Sequence, residues 1–232
     1  DDRQQKIRAE RILSLGALEL KRQPWPKPSA EAISAVLLER LRREGLALLP
    51  WSKRNEQLRR RLQLAHLRIG TPWPCRETSF LQDHPERWLM DASLECRSWG
   101  ELDEAILTQS LWGDVAWSDR RELDALLPTT IRIPSGRDAA LTYEEEGVVL
   151  AVKLQEMFGC TTSPHLLNGD LPITLVLLSP AGRPLQRTRD LQGFWSGSYH
   201  EVRKEMRGRY PKHPWPESPT DAVATRKTKK TS

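Results

Sequence analysis

The chain has 232 residues, of which 38% are hydrophobic and 29% are charged, and its formal net charge is +5. This length supplies enough material for a hydrophobic core, and this composition is typical of a polar globular protein. No apolar run reaches the roughly 18 residues that a membrane span needs, so we expect no membrane partner, while the positive charge mildly favours a polyanionic partner.

The three cysteines, Cys75, Cys96 and Cys160, form no C-x-x-C pair. This number and spacing argue against a disulfide framework or a zinc site and indicate a reducing compartment. The chain opens without Met in a strand-like segment, and we interpret it as a piece of a longer protein. Residues 1–26 are predicted to supply a strand that completes an upstream domain, followed by a stiff linker around QPWPKP, residues 23–28.

Residues 27–127 are predicted to be mainly helical. Ser29 and Ser52 are suitable N-caps of two successive helices, and Ser118 of a later one. Ser98 and Glu101 have the spacing of a capping box. The outer face of the second helix is strongly basic and is expected to be a solvated surface, with RNA contact as the alternative: Arg54, Arg59, Arg60, Arg61 and Arg68.

Residues 128–216 change character and are predicted to form an α+β domain. Short alternating segments near residues 129–133, 139–143 and 185–188 indicate strands. Residues 148–154 form either a buried strand or a strand that continues into a short helix, and Asn168–Gly169 is a hairpin signal before the apolar strand 173–178. We therefore expect a helical N-terminal half, then a small antiparallel sheet or partial barrel closed by a C-terminal amphipathic helix.

The closing helix is predicted to begin at Asp190, a suitable N-cap, and to end before Gly208. At about 100° per residue, one apolar stripe lies between a basic and an acidic flank. Three prolines between residues 211 and 216 favour a rigid extended path after the helix. Residues 217–232 are polar and basic and are predicted to be a disordered tail. The stripe is expected to be core and contains Leu191, Trp195, Tyr199, Val202 and Met206.

Motifs of enzyme chemistry are missing from the sequence. It contains no G-x-x-x-x-G-K-[ST] phosphate loop, no G-x-G-x-x-G fingerprint and no G-x-S-x-G elbow, and its five histidines are scattered. Residues 144–146, an acidic cluster, are expected to be a solvated turn. Ser135–Gly136–Arg137 is expected to be a hairpin turn, with phosphate binding as the alternative. We predict no catalytic residue, no metal ligand, no cofactor and no enzyme activity for this chain alone.

The positive signal combines basic and aromatic residues after Asp190. Arginine and lysine neutralise phosphates, and aromatic faces can stack on bases, each stack contributing ~1–3 kcal/mol. These residues bind single-stranded RNA in one hypothesis; in the other they form ion pairs with a neighbouring domain, in a structural or docking module. Trp215 is either a packed anchor or a stacking platform. The candidate nucleic-acid-binding residues are Arg203, Lys204, Arg207, Arg209, Tyr210, Lys212 and Trp215.

Residues 190–216, DLQGFWSGSYHEVRKEMRGRYPKHPWP, resemble the C-terminal signature of the HrpB family of bacterial DEAH-box helicases. Further segments agree in order along the chain, among them LSLGALELKRQPWP (13–26), GLALLPWSKRNEQLRRRL (45–62) and IRIPSGRDAALTY (131–143). The resemblance spans nearly all of the chain before residue 217.

This resemblance implies a parent that is a cytoplasmic, ATP-dependent, RNA-directed helicase. In such proteins two RecA-like motor domains bind ATP with Mg²⁺ through motifs that lie upstream and are absent here. The chain is then expected to be an accessory C-terminal region, with RNA and the upstream motor domains as partners, and no ATP-site residue is carried over.

Overall fold

The computed structural model describes residues 10–25 and 27–228. These residues fall into two compact units that divide between Ala116 and Trp117. The first unit contains an N-terminal hairpin and a group of helices, and the second contains the mixed sheet and the C-terminal helices.

The N-terminal strand prediction corresponds to an antiparallel hairpin of β1 (Glu10–Leu15) and β2 (Leu18–Pro24). The segment turns at Gly16, whose φ of 58° lies in the left-handed region that favours glycine. Every residue of both strands is exposed, and Leu15 is 72% exposed. The part of the predicted strand before Glu10, and Pro26 of the predicted linker, lie outside the described residues.

The helical region contains five α-helices in the first unit: α1 (Ala30–Glu44), α2 (Lys53–Arg68), α3 (Thr78–Asp83), α4 (Met90–Glu95) and α5 (Glu104–Trp112). The predicted caps of the first two are confirmed, because Ser29 Oγ accepts from the Ala32 N–H at 3.3 Å and Ser52 Oγ from the Asn55 N–H at 3.1 Å. Helix α1 packs on α4, and α2 packs on α5. Their contact faces form the core of this unit.

Two predicted helix starts differ from the structure. Ser98 and Glu101 do bond to each other at 3.0 Å, but they flank a 3-10 turn, and α5 is capped by Asp103, which accepts from the Ile106 N–H at 2.8 Å. Helix α6 (Trp117–Leu126) begins before Ser118, so this serine does not cap it. The starts of the two helices differ from the predicted positions, since a cap-type residue in the sequence does not by itself fix where the first turn begins.

The second unit contains six strands: β3 (Thr130–Arg132), β4 (Asp138–Glu144), β5 (Gly147–Lys153), β6 (His165–Leu166), β7 (Leu171–Leu178) and β8 (Pro184–Thr188). The strand order is β3-β4-β5-β7-β6, and β8 also pairs with β7. Most pairs are antiparallel, including β6 with β7 across the predicted Asn168–Gly169 turn. The fold is therefore α+β, as predicted.

The sheet is mixed, which corrects the expected antiparallel arrangement. Strands β5 and β7 run parallel, with Val148 opposite Ile173 and Lys153 opposite Leu178. The connection between them contains a 3-10 turn (Leu154–Met157), a loop and β6, which is long enough for a crossover to a parallel partner. The sheet does not close on itself within the described residues, so the partial barrel is not confirmed.

Two helices follow the sheet in place of the single helix that was predicted. Helix α7 (Leu191–Ser196) and helix α8 (Tyr199–Arg209) are separated at Gly197–Ser198, and Gly208 lies inside α8 instead of after it. Four residues of the predicted apolar stripe are buried and Val202 is half-buried. The stripe prediction is therefore confirmed although the helix is interrupted.

The segment predicted to be a disordered tail is bonded to the second unit as far as Lys227. The Gly159 N–H donates to the Pro219 carbonyl at 2.9 Å, and the Thr225 N–H donates to the Gln155 carbonyl at 3.0 Å. The Gln155 side-chain amide also donates to the Thr225 carbonyl at 3.1 Å. Residues 217–227 therefore have defined partners, while residues 229–232 lie outside the described residues.

Candidate nucleic-acid interface

An aromatic cluster anchors α7 and α8. Asp190 caps α7 as predicted, because its Oδ1 accepts from the Gly193 N–H at 2.8 Å. Any side chain at position 193 would collide with that carboxylate, so the close approach requires glycine. Trp195 stacks edge-on against Tyr199 at 5.3 Å between ring centroids, and its Nε1–H donates to the Cys160 carbonyl at 2.7 Å. The start of α8 is thereby fixed.

The proline-rich segment 210–217 folds back along α8 and is held there by three side chains. The Tyr199 hydroxyl donates to the Pro216 carbonyl at 2.8 Å. Arg203 donates through Nε to the Trp215 carbonyl at 2.9 Å and through Nη2 to Glu217 at 2.9 Å. Trp215 donates through Nε1 to the Tyr210 carbonyl at 2.9 Å. Burial raises the pKa of Tyr199 to about 12, so this donor keeps its proton at neutral pH.

Two candidate RNA-binding residues therefore belong to the support of this segment. Trp215 is only 6% exposed, so its ring is a packed anchor and offers no face to a base. The side chain of Arg203 is 20% exposed and its guanidinium is directed to the Trp215 carbonyl and to Glu217. The side chains of Arg203 and Trp215 are directed into the protein, so a role for them in direct RNA contact is not supported by their positions.

Four other candidates are exposed, and we call these residues together the basic strip: Lys204, Arg207 and Arg209 on α8, and Lys212 in the segment after it. At about 100° per residue, Arg207 lies on the opposite side of α8 from Glu205, whereas Lys204 lies between Arg207 and Glu201, about 60° from each. Arg209 pairs with Glu205 at 3.2 Å, but both side chains are more than half exposed, and such pairs contribute little. Within the described residues, Lys204, Arg207 and Lys212 have no acidic partner. Tyr210 is half-buried beside the strip.

The segment 210–217 is also tied to the end of β5. His213 Nδ1 lies 2.9 Å from Oε1 of Gln155, so this nitrogen carries the proton and donates. Burial and the nearby ammonium of Lys153 both lower the pKa of His213. The imidazole is therefore neutral at physiological pH and acts as a structural donor.

The next residue after Gln155 is the buried carboxylate of Glu156. It receives two hydrogen bonds from Arg137, at 2.9 Å from Nε and 3.0 Å from Nη2, and one at 3.3 Å from the Lys153 N–H. Burial opposes the charge, but the Arg137 guanidinium outweighs it and holds the pKa of Glu156 below its usual value.

Gly136 forms the predicted hairpin turn, since its N–H donates to the Ile133 carbonyl at 2.9 Å.

The basic face of α2 does not have the expected exposure. Arg59 and Arg61 are buried, and Arg59 donates to the Arg76 carbonyl at 2.9 Å and to Glu56 at 2.8 and 3.0 Å. Only Arg54 and Arg68 of the predicted basic face are exposed. The arginines of α2 therefore do not form a continuous exposed surface for RNA, because some of them are buried and Arg59 bonds to groups within the protein.

Arg76 is a structural residue that sequence reasoning missed. Its side chain is buried and donates to carbonyls at the end of α5, to Leu111 at 2.8 Å and to Ser110 at 3.5 Å, and to Cys75 at 2.9 Å. Burial lowers the pKa of Arg76 to about 10, which leaves it charged at neutral pH. It satisfies carbonyls that a helix end leaves without partners. No local pattern around residue 76 signals this role.

In the part of the chain that the structure describes, no group of three or more His, Cys, Asp or Glu side chains could hold a metal ion. No helix among those residues is long and apolar enough to cross a bilayer.

The fold and the C-terminal segment place this chain among the C-terminal regions of helicases. A family described as ATP-dependent helicase C-terminal, HrpB_C, matches residues 88–219, which is more than half of the chain, and the chain belongs to this family. It is 42% identical over 234 residues to the ATP-dependent RNA helicase HrpB of Escherichia coli (strain K12). That alignment covers 100% of this chain and 29% of the relative, so the chain spans less than a third of its length.

Two solved structures agree with this assignment. A crystal structure of the E. coli DExH-box NTPase HrpB is similar with a TM-score of 0.79 and 41% identity, over 98% of this chain and 28% of that one. A crystal structure of the Escherichia coli DEAH/RHA helicase HrpB gives 0.68 and 40%, over 93% of this chain and 28% of that one. The predicted resemblance to the C-terminal region of HrpB is confirmed.

Proposed function

We propose that this chain is the accessory RNA-binding region of an ATP-dependent DEAH-box RNA helicase, and that the basic strip guides single-stranded RNA. The observation that carries the proposal is the strip itself, which has three exposed cations on α8 and a fourth, Lys212, on the segment bonded to that helix. Cations held in this way neutralise successive phosphates at low conformational cost. The name of the E. coli relative, an ATP-dependent RNA helicase, supports the choice of RNA.

In this proposal the chemistry of the parent resides in upstream RecA-like motor domains, which bind ATP with Mg²⁺ and act in the cytoplasm. This chain contributes no catalytic residue and keeps the RNA in position. Tyr210 is half-buried, and in this proposal the exposed part of its side chain contacts a base. Arg203 and Trp215 hold the segment that carries Lys212 against α8.

A second role, docking on the motor domains, is favoured by the N-terminal hairpin. Leu13, Leu15 and Leu18 are 60–72% exposed on β1 and β2, and neighbouring apolar side chains are exposed as well. Solvent-facing leucines on adjacent strands indicate a covered surface in the whole protein. The hairpin is then the docking element, and the basic strip remains available to RNA.

The test is a salt titration of single-stranded RNA binding by the 232-residue chain. The double variant Lys204→Gln/Arg207→Gln should weaken binding and reduce the log–log salt slope by about 1.4, since each phosphate contact on a single strand contributes about 0.7. A matched control is Lys53→Gln/Arg121→Gln, which removes one exposed lysine and one exposed arginine outside the strip. Equal affinity and slope in the two double variants would contradict RNA binding at the strip and favour the docking role alone.

A further inference from the structure

A cavity of about 550 Å³ lies at the carboxyl ends of the parallel strands β5 and β7. Lys153 ends β5 and Leu178 ends β7, and the two residues are paired in register. The chains separate here, since β5 continues into a 3-10 turn and β7 into the turn before β8. Such divergence at the carboxyl ends of parallel strands creates a crevice that is a common place for ligands in α/β sheets. The volume falls in the range of small-molecule sites.

The walls of the cavity are positively charged. Its ionisable lining consists of Arg137, Lys153, Arg226 and Lys227 together with a single carboxylate, Glu156. Glu156 and Arg137 neutralise each other through two hydrogen bonds, and the Glu156 side chain is only 5% exposed. Three cations therefore remain around a neutral pair, in a concave site where the field of like charges is concentrated.

The three remaining cations are not held by strong ion pairs. Arg226 Nε lies 3.8 Å from Glu156 Oε1, beyond hydrogen-bonding distance, and its side chain is largely exposed. Within the described residues, Lys153 and Lys227 have no acidic partner. The positive charge of Lys153 acts on its surroundings, since its electrostatic repulsion contributes to the lowered pKa of His213. Three cations in one cavity repel each other, and an anion between them would relieve that repulsion.

Two of these cations come from the C-terminal segment that the sequence predicts to be disordered. Thr225 is held to Gln155 by backbone and side-chain hydrogen bonds, and the Lys227 N–H donates to Thr225 Oγ1 at 3.0 Å. A further bond joins the Gln155 amide to the Lys227 carbonyl at 3.4 Å. The segment is thus bonded to the 3-10 turn that follows β5, and Arg226 and Lys227 line the same cavity as Lys153.

We propose that this cavity is a phosphate-binding site, in which Lys153, Arg226 and Lys227 bind a phosphate group over the Arg137–Glu156 pair. The chemistry required is that of a compact phosphate anion, which lysine ammonium groups and an arginine fork both recognise. The phosphate belongs either to a free mononucleotide or inorganic phosphate, or to the backbone of RNA. The site is separate from the residues of the basic strip and does not depend on RNA binding there.

The test uses the 232-residue chain and measures backbone amide shifts at residues 153 and 225–227 by NMR. Inorganic phosphate, adenosine monophosphate and a short single-stranded RNA are titrated separately at constant ionic strength. We expect saturable shifts with at least one probe and slower hydrogen exchange of the Thr225 amide, because the ligand joins the tail to β5. Lys153→Gln and Lys227→Gln should each weaken the binding about tenfold, whereas Arg121→Gln should leave it unchanged.

The probes distinguish the sources of the phosphate. Saturation with phosphate or the mononucleotide assigns the site to a small ligand, and saturation with RNA alone assigns it to the nucleic-acid backbone. Shifts that rise without saturation for every probe, or that are the same in Lys153→Gln, Lys227→Gln and parent protein, would overturn the proposal. Lys204→Gln/Arg207→Gln, which tests the basic strip, should leave phosphate binding intact, so failure of one proposal is distinct from failure of the other.

Discussion

Replacement of Arg203 tests whether this arginine supports the fold or binds RNA. Arg203→Met keeps most of the aliphatic stem but removes the guanidinium that donates to the Trp215 carbonyl at 2.9 Å and to Glu217 at 2.9 Å. The side chain is 20% exposed, so the first of these bonds is largely shielded from water. Glu217 is 84% exposed, and its ion pair is screened.

The expected cost follows from these two contacts. A hydrogen bond from a charged donor contributes about 1.5–3 kcal/mol, and an exposed ion pair about 0–0.5 kcal/mol. Loss of both should reduce the free energy of opening of the segment 210–217 by about 2 kcal/mol, which corresponds to about 30-fold faster exchange of its protected amides. The His213 N–H, which donates to the Tyr210 carbonyl at 3.1 Å, is the amide to follow.

Hydrogen exchange of the 232-residue chain measures this opening, and Arg207→Met is the matched control because Arg207 is exposed on the same helix. The control should leave His213 exchange unchanged and weaken RNA binding. At temperatures where the chain stays folded, Arg203→Met should speed the exchange of the His213 amide and leave RNA binding nearly unchanged. If Arg203→Met left the His213 exchange rate within about twofold of the parent and weakened RNA binding as much as Arg207→Met does, the structural role of Arg203 in holding segment 210–217 would be refuted.

Three further changes test other parts of the structure. Arg76→Met should lower the free energy of unfolding by about 3 kcal/mol in urea titrations, because the carbonyls of Ser110 and Leu111 lose a buried donor; a loss below about 1 kcal/mol would contradict this role. Asp190→Ala should cost about 1 kcal/mol through loss of the α7 cap, whereas the exposed neighbour Gln192→Ala should be nearly neutral. The pKa of His213 is lowered, so the unfolded chain takes up a proton at higher pH than the folded chain, and the free energy of unfolding should fall as pH decreases through about 6.5. His213→Gln should remove this contribution to the pH dependence of stability. An unchanged pH profile of stability in His213→Gln would contradict the lowered pKa.

Local signals predicted the features that depend on nearby residues. Ser29, Ser52 and Asp190 each accept a hydrogen bond from an N–H three residues ahead, which short-range geometry alone determines. The apolar stripe was predictable for the same reason, because its period survives the break at Gly197–Ser198. The change from helices to strands near Pro128 also followed from the alternation pattern.

The features that sequence reasoning missed depend on distant partners. The parallel pairing of β5 and β7 is a long-range contact. Their near-continuous apolar runs are typical of strands buried on both faces, as in parallel sheets, but such runs do not identify the partner strand. Whether an arginine is exposed depends on whether carbonyls elsewhere need a donor, as for Arg59 and Arg76. The composition of residues 217–227 indicates disorder, but Gln155 and Gly159 supply backbone and side-chain partners that order the segment.

Gln155 connects the two proposed phosphate-binding surfaces. Its side-chain oxygen accepts from His213, the neighbour of Lys212 in the basic strip, and its amide donates to Thr225, which lies next to the cations of the cavity. One side chain therefore joins both segments to the end of β5. Opening of segment 210–217 removes the donor of Gln155 Oε1, and opening of the segment around Thr225 removes the acceptor of its amide. Opening of one segment should therefore lower the free energy needed to open the other, and a phosphate bound in the cavity would also stabilise the segment that carries Lys212.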